Sequence, residues 1–262
     1  KAPIPINGMC GITGILYFNE QRVNQHNLRR FNNQLKHRGP DSEGVFINPK
    51  GDLGLAHRRL AILDLSSGGH QPMPYNEEEY WIVFNGEIFN FLELKMDLSK
   101  LGHKFRTTSD TEVILAAYIE WGEKCVEHFN GMWAFCLFDK KLNSLFLSRD
   151  RFGIKPLHFI FIKNKMFAFA SETIAFKALE GYRKEIDSNN LLFNIERPYE
   201  LEGTGSTIWK DICQLKAGCN ITLDINKREL REYEWWNTFD NLVKVPDNFQ
   251  EQAEEFRTLL ED

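Results

Sequence analysis

An α+β fold, its sheets stacked between helices, is what this chain predicts, and three observations carry the prediction. Apolar segments of strand length arrive in runs rather than alternating singly with helices. Two helix-length segments interrupt those runs as a pair, which disfavours regular βαβ winding. Hydrophobic residues make up 42% of the 262 and charged residues 26%, enough apolar material for a packed core and too much for a disordered chain. No internal repeat is visible.

Residues 1–9 (KAPIPINGM), with two prolines, a glycine and no periodicity, read as a flexible leader. Residues 10–18 (CGITGILYF) are short, apolar and rich in Ile and Gly, the pattern of a buried strand. Residues 27–35 place apolar side chains at helical spacing on a polar background. HRGPDSEG (37–44) is turn chemistry, Gly-Pro followed by Asp-Ser. Strands are expected at 53–65 and 80–86, separated by a loop at 66–76, and helices at 90–101 and 111–121. Further strands follow at 132–138, 144–149, 157–162 and 166–170, then a short helix near 172–180 and strands at 219–224 and 229–234. Beyond Pro246, the residues Phe249, Ala253, Phe256 and Leu260 fall on one face of an acidic helix at 248–262. That face meets either a partner surface or its own domain.

A net charge of −5 without a basic run argues against a nucleic-acid partner. No apolar stretch approaches the roughly 20 residues of a membrane helix, and the N-terminus lacks a signal peptide's apolar centre. A soluble, cytoplasmic protein is expected. The five cysteines (Cys10, Cys125, Cys136, Cys213, Cys219) show no CxxC pair and the seven histidines no HExxH pair. Neither a disulfide framework nor a metal site is expected.

Cys10 is either a structural cysteine of a buried strand or a nucleophile. Its position favours the nucleophile, because removal of Met9 as an initiator would leave a thiol and a free α-amine on one residue. Such an amine titrates near 8, so it can take the thiol's proton directly or through a water without a His/Asp pair. Asn85-Gly86-Glu87 suits a hairpin turn and also an oxyanion site, with the Asn85 amide and the Gly86 N–H as donors. Arg58 and Arg59 sit on opposite faces of a strand, and either could grip a substrate carboxylate in a bidentate fork. Asp110, in TTSDTE, suits a helix N-cap or an acceptor for a substrate ammonium, with Glu87 as a second acceptor.

Taken in order, CGITGI (10–15), HRGPDSEG (37–44), LAHRRLAILD (55–64), FNGEIFN (84–90), TTSDTEVIL (107–115), FNGMWAFCLFD (129–139), SRDRFGIKPL (148–157) and ASE (170–172) carry a resemblance. The chain resembles the class II glutamine amidotransferases, most of all the glutaminase domain of asparagine synthetases. The resemblance covers most of residues 10–180 and is poor over 183–210. It implies a four-layer αββα sandwich of antiparallel sheets, of the N-terminal nucleophile hydrolase type, that hydrolyses L-glutamine to glutamate and ammonia. It implies Cys10 as nucleophile, Asn85 and Gly86 as oxyanion hole, and Arg59 as the holder of the glutamine carboxylate. Ile62 and Leu63 would add backbone contacts, and Glu87 and Asp110 would bind the ammonium. Arg38 and Asp41 match a mobile loop near the site, where a structural role is as natural as a catalytic one.

Two features depart from the family. Nine residues precede Cys10, an appended expression segment or a propeptide, and lock its amine in a peptide bond. A chain that keeps them is expected to have little glutaminase activity. Relatives also continue into an ATP-pyrophosphatase synthetase domain with an SGGLDSS-like loop, a motif missing from these residues. Residues 10–236 are then the glutaminase domain, and 237–262 a linker and the start of a synthetase domain, unless that domain is a separate chain. The resemblance implies no cofactor in the glutaminase domain and ATP with Mg2+ in the synthetase domain, where ammonia would amidate a carboxylate. Its partners would be L-glutamine and that second domain, with a homodimer left open. The rivals are an N-terminal nucleophile amidase for another acyl amide and a glutamine-binding regulatory domain.

Overall fold

A computed structural model describes residues 9–60, 69–198 and 200–261. Among them the strands form two antiparallel six-stranded sheets. In the first, β1 (Gly11–Tyr17) lies between β3 (Leu53–Arg59) and β9 (Met166–Ala170). Beyond β3 comes β2 (Ser42–Ile47), and beyond β9 come β8 (His158–Ile162) and β10 (Cys213–Gln214). The second runs β12 (Glu229–Glu234), β11 (Cys219–Asp224), β7 (Ser144–Arg149), β6 (Gly131–Asp139), β5 (Tyr80–Ile88) and β4 (Met73–Tyr75).

The two-residue period of a strand sorts these side chains into layers. Ile12 and Leu16 of β1 face the other sheet and pack with Val83, Cys136, Leu147 and Ile221. Ile15 and Tyr17 turn the opposite way, against Leu28 and Phe31 of α1 (Gln25–Asn33) and against Phe176. In the second sheet Ile82 and Phe84 face outward, under α2 (Phe91–Lys100) and α3 (Asp110–Trp121). Both sheets are therefore buried on both faces, which is why β1, β6 and β9 are apolar runs rather than alternating ones. The result is the expected sandwich of helix, sheet, sheet and helix. Each side chain fully buried there, such as Ile12 or Phe167, stabilises the fold by about 1.5–3 kcal/mol.

The structure differs from the sequence expectations in several places and decides between alternatives in another. Ser42–Ile47, half of it inside the segment read as turn, is a strand paired residue for residue with β3, from Ser42↔Arg59 to Ile47↔Gly54. Its polar start reflects a sheet edge rather than a turn. The expected loop at 66–76 contains β4, three residues on the edge of β5. Asn85 and Gly86 make no turn; they lie within β5, opposite Ala134 and Trp133 of β6. Two helices, α4 (Ser188–Glu196) and α5 (Glu200–Gly203), fall in the region of poor resemblance, where no helix was expected. The acidic tail does form a helix, α6 (Phe249–Glu261), but buries none of its residues, so it does not fold back on the described part of its domain. No helix among the described residues is long and apolar enough to cross a membrane.

Candidate active site

A cavity of about 510 Å3 opens where β1 begins, β3 ends and α3 starts, and Cys10, Arg59, Asn85, Gly86, Glu87 and Asp110 all line it. These side chains, up to 100 residues apart in the chain, meet because antiparallel pairing puts the start of β1 beside the end of β3, with Gly11 opposite Arg58.

Cys10 is held just ahead of β1. The Ile12 N–H donates to Ser171 Oγ at 3.0 Å and the Ser171 N–H returns a bond to the Ile12 carbonyl at 3.0 Å. The Arg38 Nε donates to the Cys10 carbonyl at 2.9 Å, while its Nη1 pairs with Glu172 at 2.6 Å. The Leu60 N–H points at the Cys10 sulfur, 3.5 Å away. Burial pushes the thiol's pKa up, and the Leu60 N–H and the charges of Arg59, Arg38 and Lys155 oppose that without overcoming it. The thiol is therefore protonated at neutral pH and needs a base to react. Met9 occupies part of the same wall, its sulfur 3.4 Å from Lys155 Nζ.

Past the end of β4, one edge of β5 borders the cavity. In an antiparallel strand, the backbone groups of alternate residues face the same side. The Phe84 N–H donates to Gln71 Oε1 at 2.6 Å and the Ile88 N–H to Asp110 Oδ2 at 3.0 Å, both on the side away from β6. Gly86 lies between them in that row. Its partner Trp133 turns its own N–H and carbonyl toward Asp150, at 3.2 and 2.9 Å, so the Gly86 N–H faces the cavity. A Cβ at Gly86 would overlap the Met132 carbonyl and the Trp133 Cα, so glycine is required for this close approach. The Asn85 side chain is 1% exposed, and its Nδ2 is buried without a protein acceptor. A buried donor of this kind is one that a ligand oxygen would satisfy.

Arg59, not Arg58, enters the cavity. The Arg58 guanidinium is buried elsewhere, on the Gly39 carbonyl at 3.1 Å and Glu43 at 2.9 Å. That of Arg59 lies beside Gly69, where a Cβ would come within 2.5 Å of its Nη2. Asp110 is not the N-cap of α3: Ser109 is, its hydroxyl accepting from the Thr111 N–H at 3.2 Å. Asp110 sits one residue on, its pKa raised by burial and by the charge of Glu87. A cation beside the two carboxylates would offset the upward shift by favouring their charged forms. The Asp41 N–H donates to the Arg59 carbonyl at 3.1 Å, tying the 37–44 segment to this wall. Ile62 and Leu63 lie outside the described residues.

A family model for the glutamine amidotransferase domain matches residues 9–236. The chain belongs to the glutamine amidotransferase domain family. It is 42% identical over 248 residues to a putative glutamine-hydrolysing asparagine synthetase 2 of Methanocaldococcus jannaschii, over 88% of this chain and 47% of that one. It is 38% identical over 259 residues to asparagine synthetase 3 of Bacillus subtilis, over 97% and 40% respectively. The chain thus spans less than half the length of these relatives. The solved glutamine phosphoribosylpyrophosphate amidotransferase of B. subtilis superposes with a TM-score of 0.64 at 17% identity, over 87% of this chain and 49% of that one. That likeness shows the shared N-terminal nucleophile hydrolase fold.

Within this amidotransferase domain several cavity residues had drawn no functional expectation: His57, Gln71, Ser109 and Lys155. His57 and Lys155 belong to segments that carry the resemblance, AHRR and GIKPL, but nothing in their spacing separates a cavity wall from a core. Glu112 is a further support. Its carboxylate accepts from the N–H groups of Arg106 at 2.9 Å and Thr107 at 2.7 Å, fixing the turn that presents Ser109 and Asp110. Among the described residues no three His, Cys, Asp or Glu side chains gather closely enough to hold a metal ion.

Proposed function

We propose that this amidotransferase domain hydrolyses L-glutamine to glutamate and ammonia, with Cys10 as the nucleophile once the residues ahead of it are removed. The observation that carries the reading is one cavity containing the Cys10 thiol, the unpartnered Asn85 amide and the open-edge Gly86 N–H. That set matches acyl transfer: a nucleophile and two donors for the oxygen on which charge develops.

The α-amine of a terminal Cys10 takes the thiol proton, and the sulfur attacks the side-chain amide carbon. Asn85 Nδ2 and the Gly86 N–H receive the oxyanion. The ammonium returns its proton to the amide nitrogen, which leaves as ammonia. A water, deprotonated by the same amine, then attacks the thioester and expels the thiolate. Arg59 grips the α-carboxylate, and Glu87 with Asp110 accepts from the α-ammonium. Ile62 and Leu63 would contribute backbone contacts. Because the cavity holds a cation and two anions, it favours a free α-amino acid over simple amides. Ammonia release from the protein beginning at Cys10, compared across glutamine, asparagine and simple amides, tests this. Equal turnover of all three would favour the broader amidase.

The ammonia then feeds an ATP-dependent amidation of a carboxylate, of the asparagine-synthetase kind, in a second domain. Support for this comes from the similarity to two asparagine synthetases more than twice as long as the matched region. ATP and Mg2+ would act in that domain, and no step at Cys10 runs through them.

A further inference from the structure

Phe84 immediately precedes Asn85, and neither of its backbone groups is held by a neighbouring strand on its open edge. β4 covers β5 only from Tyr80 to Ile82. Beyond that point two side chains take the place of a strand. The Gln71 Oε1 accepts from the Phe84 N–H at 2.6 Å, and the His57 ring Nε2 lies 3.1 Å from the Phe84 carbonyl oxygen. A carbonyl only accepts, so His57 carries its proton on Nε2 and donates.

Both side chains are themselves fixed. His57 is 1% exposed, and its backbone is paired with Ile12 of β1 on one side and Gly44 of β2 on the other. Its carbonyl accepts from Asn32 Nδ2 at 3.1 Å, and Asn32 in turn receives the Thr13 hydroxyl at 3.3 Å. Burial keeps the His57 ring neutral, its pKa pushed down to about 3. Gln71 is buried as well, and its Nε2 donates to Thr111 Oγ1 at 3.4 Å, in the first turn of α3 beside Asp110. The Phe84 peptide is thus clamped from the first sheet and from the segment leading into β4, with a brace onto α3.

We infer that His57 and Gln71 are positioning residues which hold the Phe84 peptide so that Asn85 Nδ2 and the Gly86 N–H form a ready-made oxyanion hole. This rests on the glutaminase reading of Cys10, Asn85 and Gly86. Such donors work only when they meet the oxyanion at about 2.7–3.1 Å without rearranging. The next peptide along is the Asn85–Gly86 unit itself, so a strand edge left loose at Phe84 would move both donors.

The test uses the protein processed to Cys10, with His57→Leu, Gln71→Met and the donor-retaining His57→Gln. It measures glutamine turnover and the affinity for L-glutamate γ-semialdehyde, whose hemithioacetal oxygen on Cys10 occupies the oxyanion position. His57→Leu and Gln71→Met should lower kcat by tenfold or more and weaken semialdehyde binding by a similar factor. The KM for glutamine should stay within about threefold if KM tracks ground-state binding. His57→Gln should recover most of kcat. If His57→Leu does not fold, Gln71→Met decides alone. Unchanged kcat in folded variants, or a raised KM at unchanged kcat, overturns the clamp. A wild-type protein inert toward both glutamine and the semialdehyde overturns the glutaminase reading, and the clamp with it.

Discussion

Asp110 accepts the Ile88 N–H through Oδ2 at 3.0 Å, so the carboxylate proposed to meet a substrate ammonium also fixes the end of the strand that carries Asn85 and Gly86. Charge and hydrogen bond can be separated. Asp110→Asn keeps an acceptor for Ile88 and loses the anion, so the KM for glutamine should rise about ten- to a hundredfold, the range of a bond to a charged group. The kcat should change by only a few fold. Burial raises the Asp110 pKa, so in the wild type KM should begin to climb, as pH falls, above the usual carboxylate range. A KM–pH profile of wild type and variant checks both, and a flat profile would contradict the assignment.

Asn85→Ala removes one of the two proposed oxyanion donors, a side chain only 1% exposed. The kcat should fall by about 10²–10³, with little change in KM, as for loss of one oxyanion donor elsewhere. A drop confined to KM would place the Asn85 amide on the ground-state substrate instead.

Cys10→Ala should abolish ammonia release while leaving glutamine binding intact, because the proposed grip on the substrate's other end, by Arg59, Glu87 and Asp110, is untouched. Calorimetry with glutamine, alongside an ammonia assay, separates the two. Residual turnover in this variant would remove Cys10 from the nucleophile's role.

Retention of the residues before Cys10 should suppress turnover. In this chain the Cys10 nitrogen is an amide, and Met9 occupies cavity wall. Mass spectrometry of the purified protein, paired with rates of ammonia release, gives the comparison. Full activity with residue 1 in place would falsify the α-amine as base.

Acid should destabilise the fold through two histidines, the buried His57 and the partly buried His158. Burial pushes His57 down to about 3 and His158 to about 4, from 6.5. The unfolded chain therefore binds these protons first, and the stability present above pH 6.5 is lost as pH falls toward 4 and then 3. By about pH 4.5 each histidine accounts for roughly 2–3 kcal/mol. Urea unfolding at pH 7.5 and 4.5 should show this loss, and His158→Gln should remove about half of it. Equal losses in wild type and variant would exclude His158 as a source.

Much of the secondary structure was legible because its signals are local. The apolar run of β1, the helical spacing of α1 and the Ser-Asp-Thr-Glu start of α3 each lie within a dozen residues. Ser42–Ile47 was not legible, because what makes it a strand is a partner, β3, on which its polar residues find a sheet edge. Asn85-Gly86 misled for the same reason. The pair reads as a turn by its own chemistry, yet it lies in the strand interior because β6 runs alongside and leaves no room for a Cβ at Gly86.

By itself the sequence determined the stacked-sheet class, the nucleophile candidate at Cys10 and the residue types able to hold an amino acid, since these follow from periodicity and side-chain chemistry. Only the tertiary structure decided that Arg59 rather than Arg58 enters the cavity, that the Gly86 N–H faces an open edge, and that His57 and Gln71 hold Phe84. Those facts depend on which strands lie side by side and on the direction each backbone group points, properties that arise between segments distant in the chain.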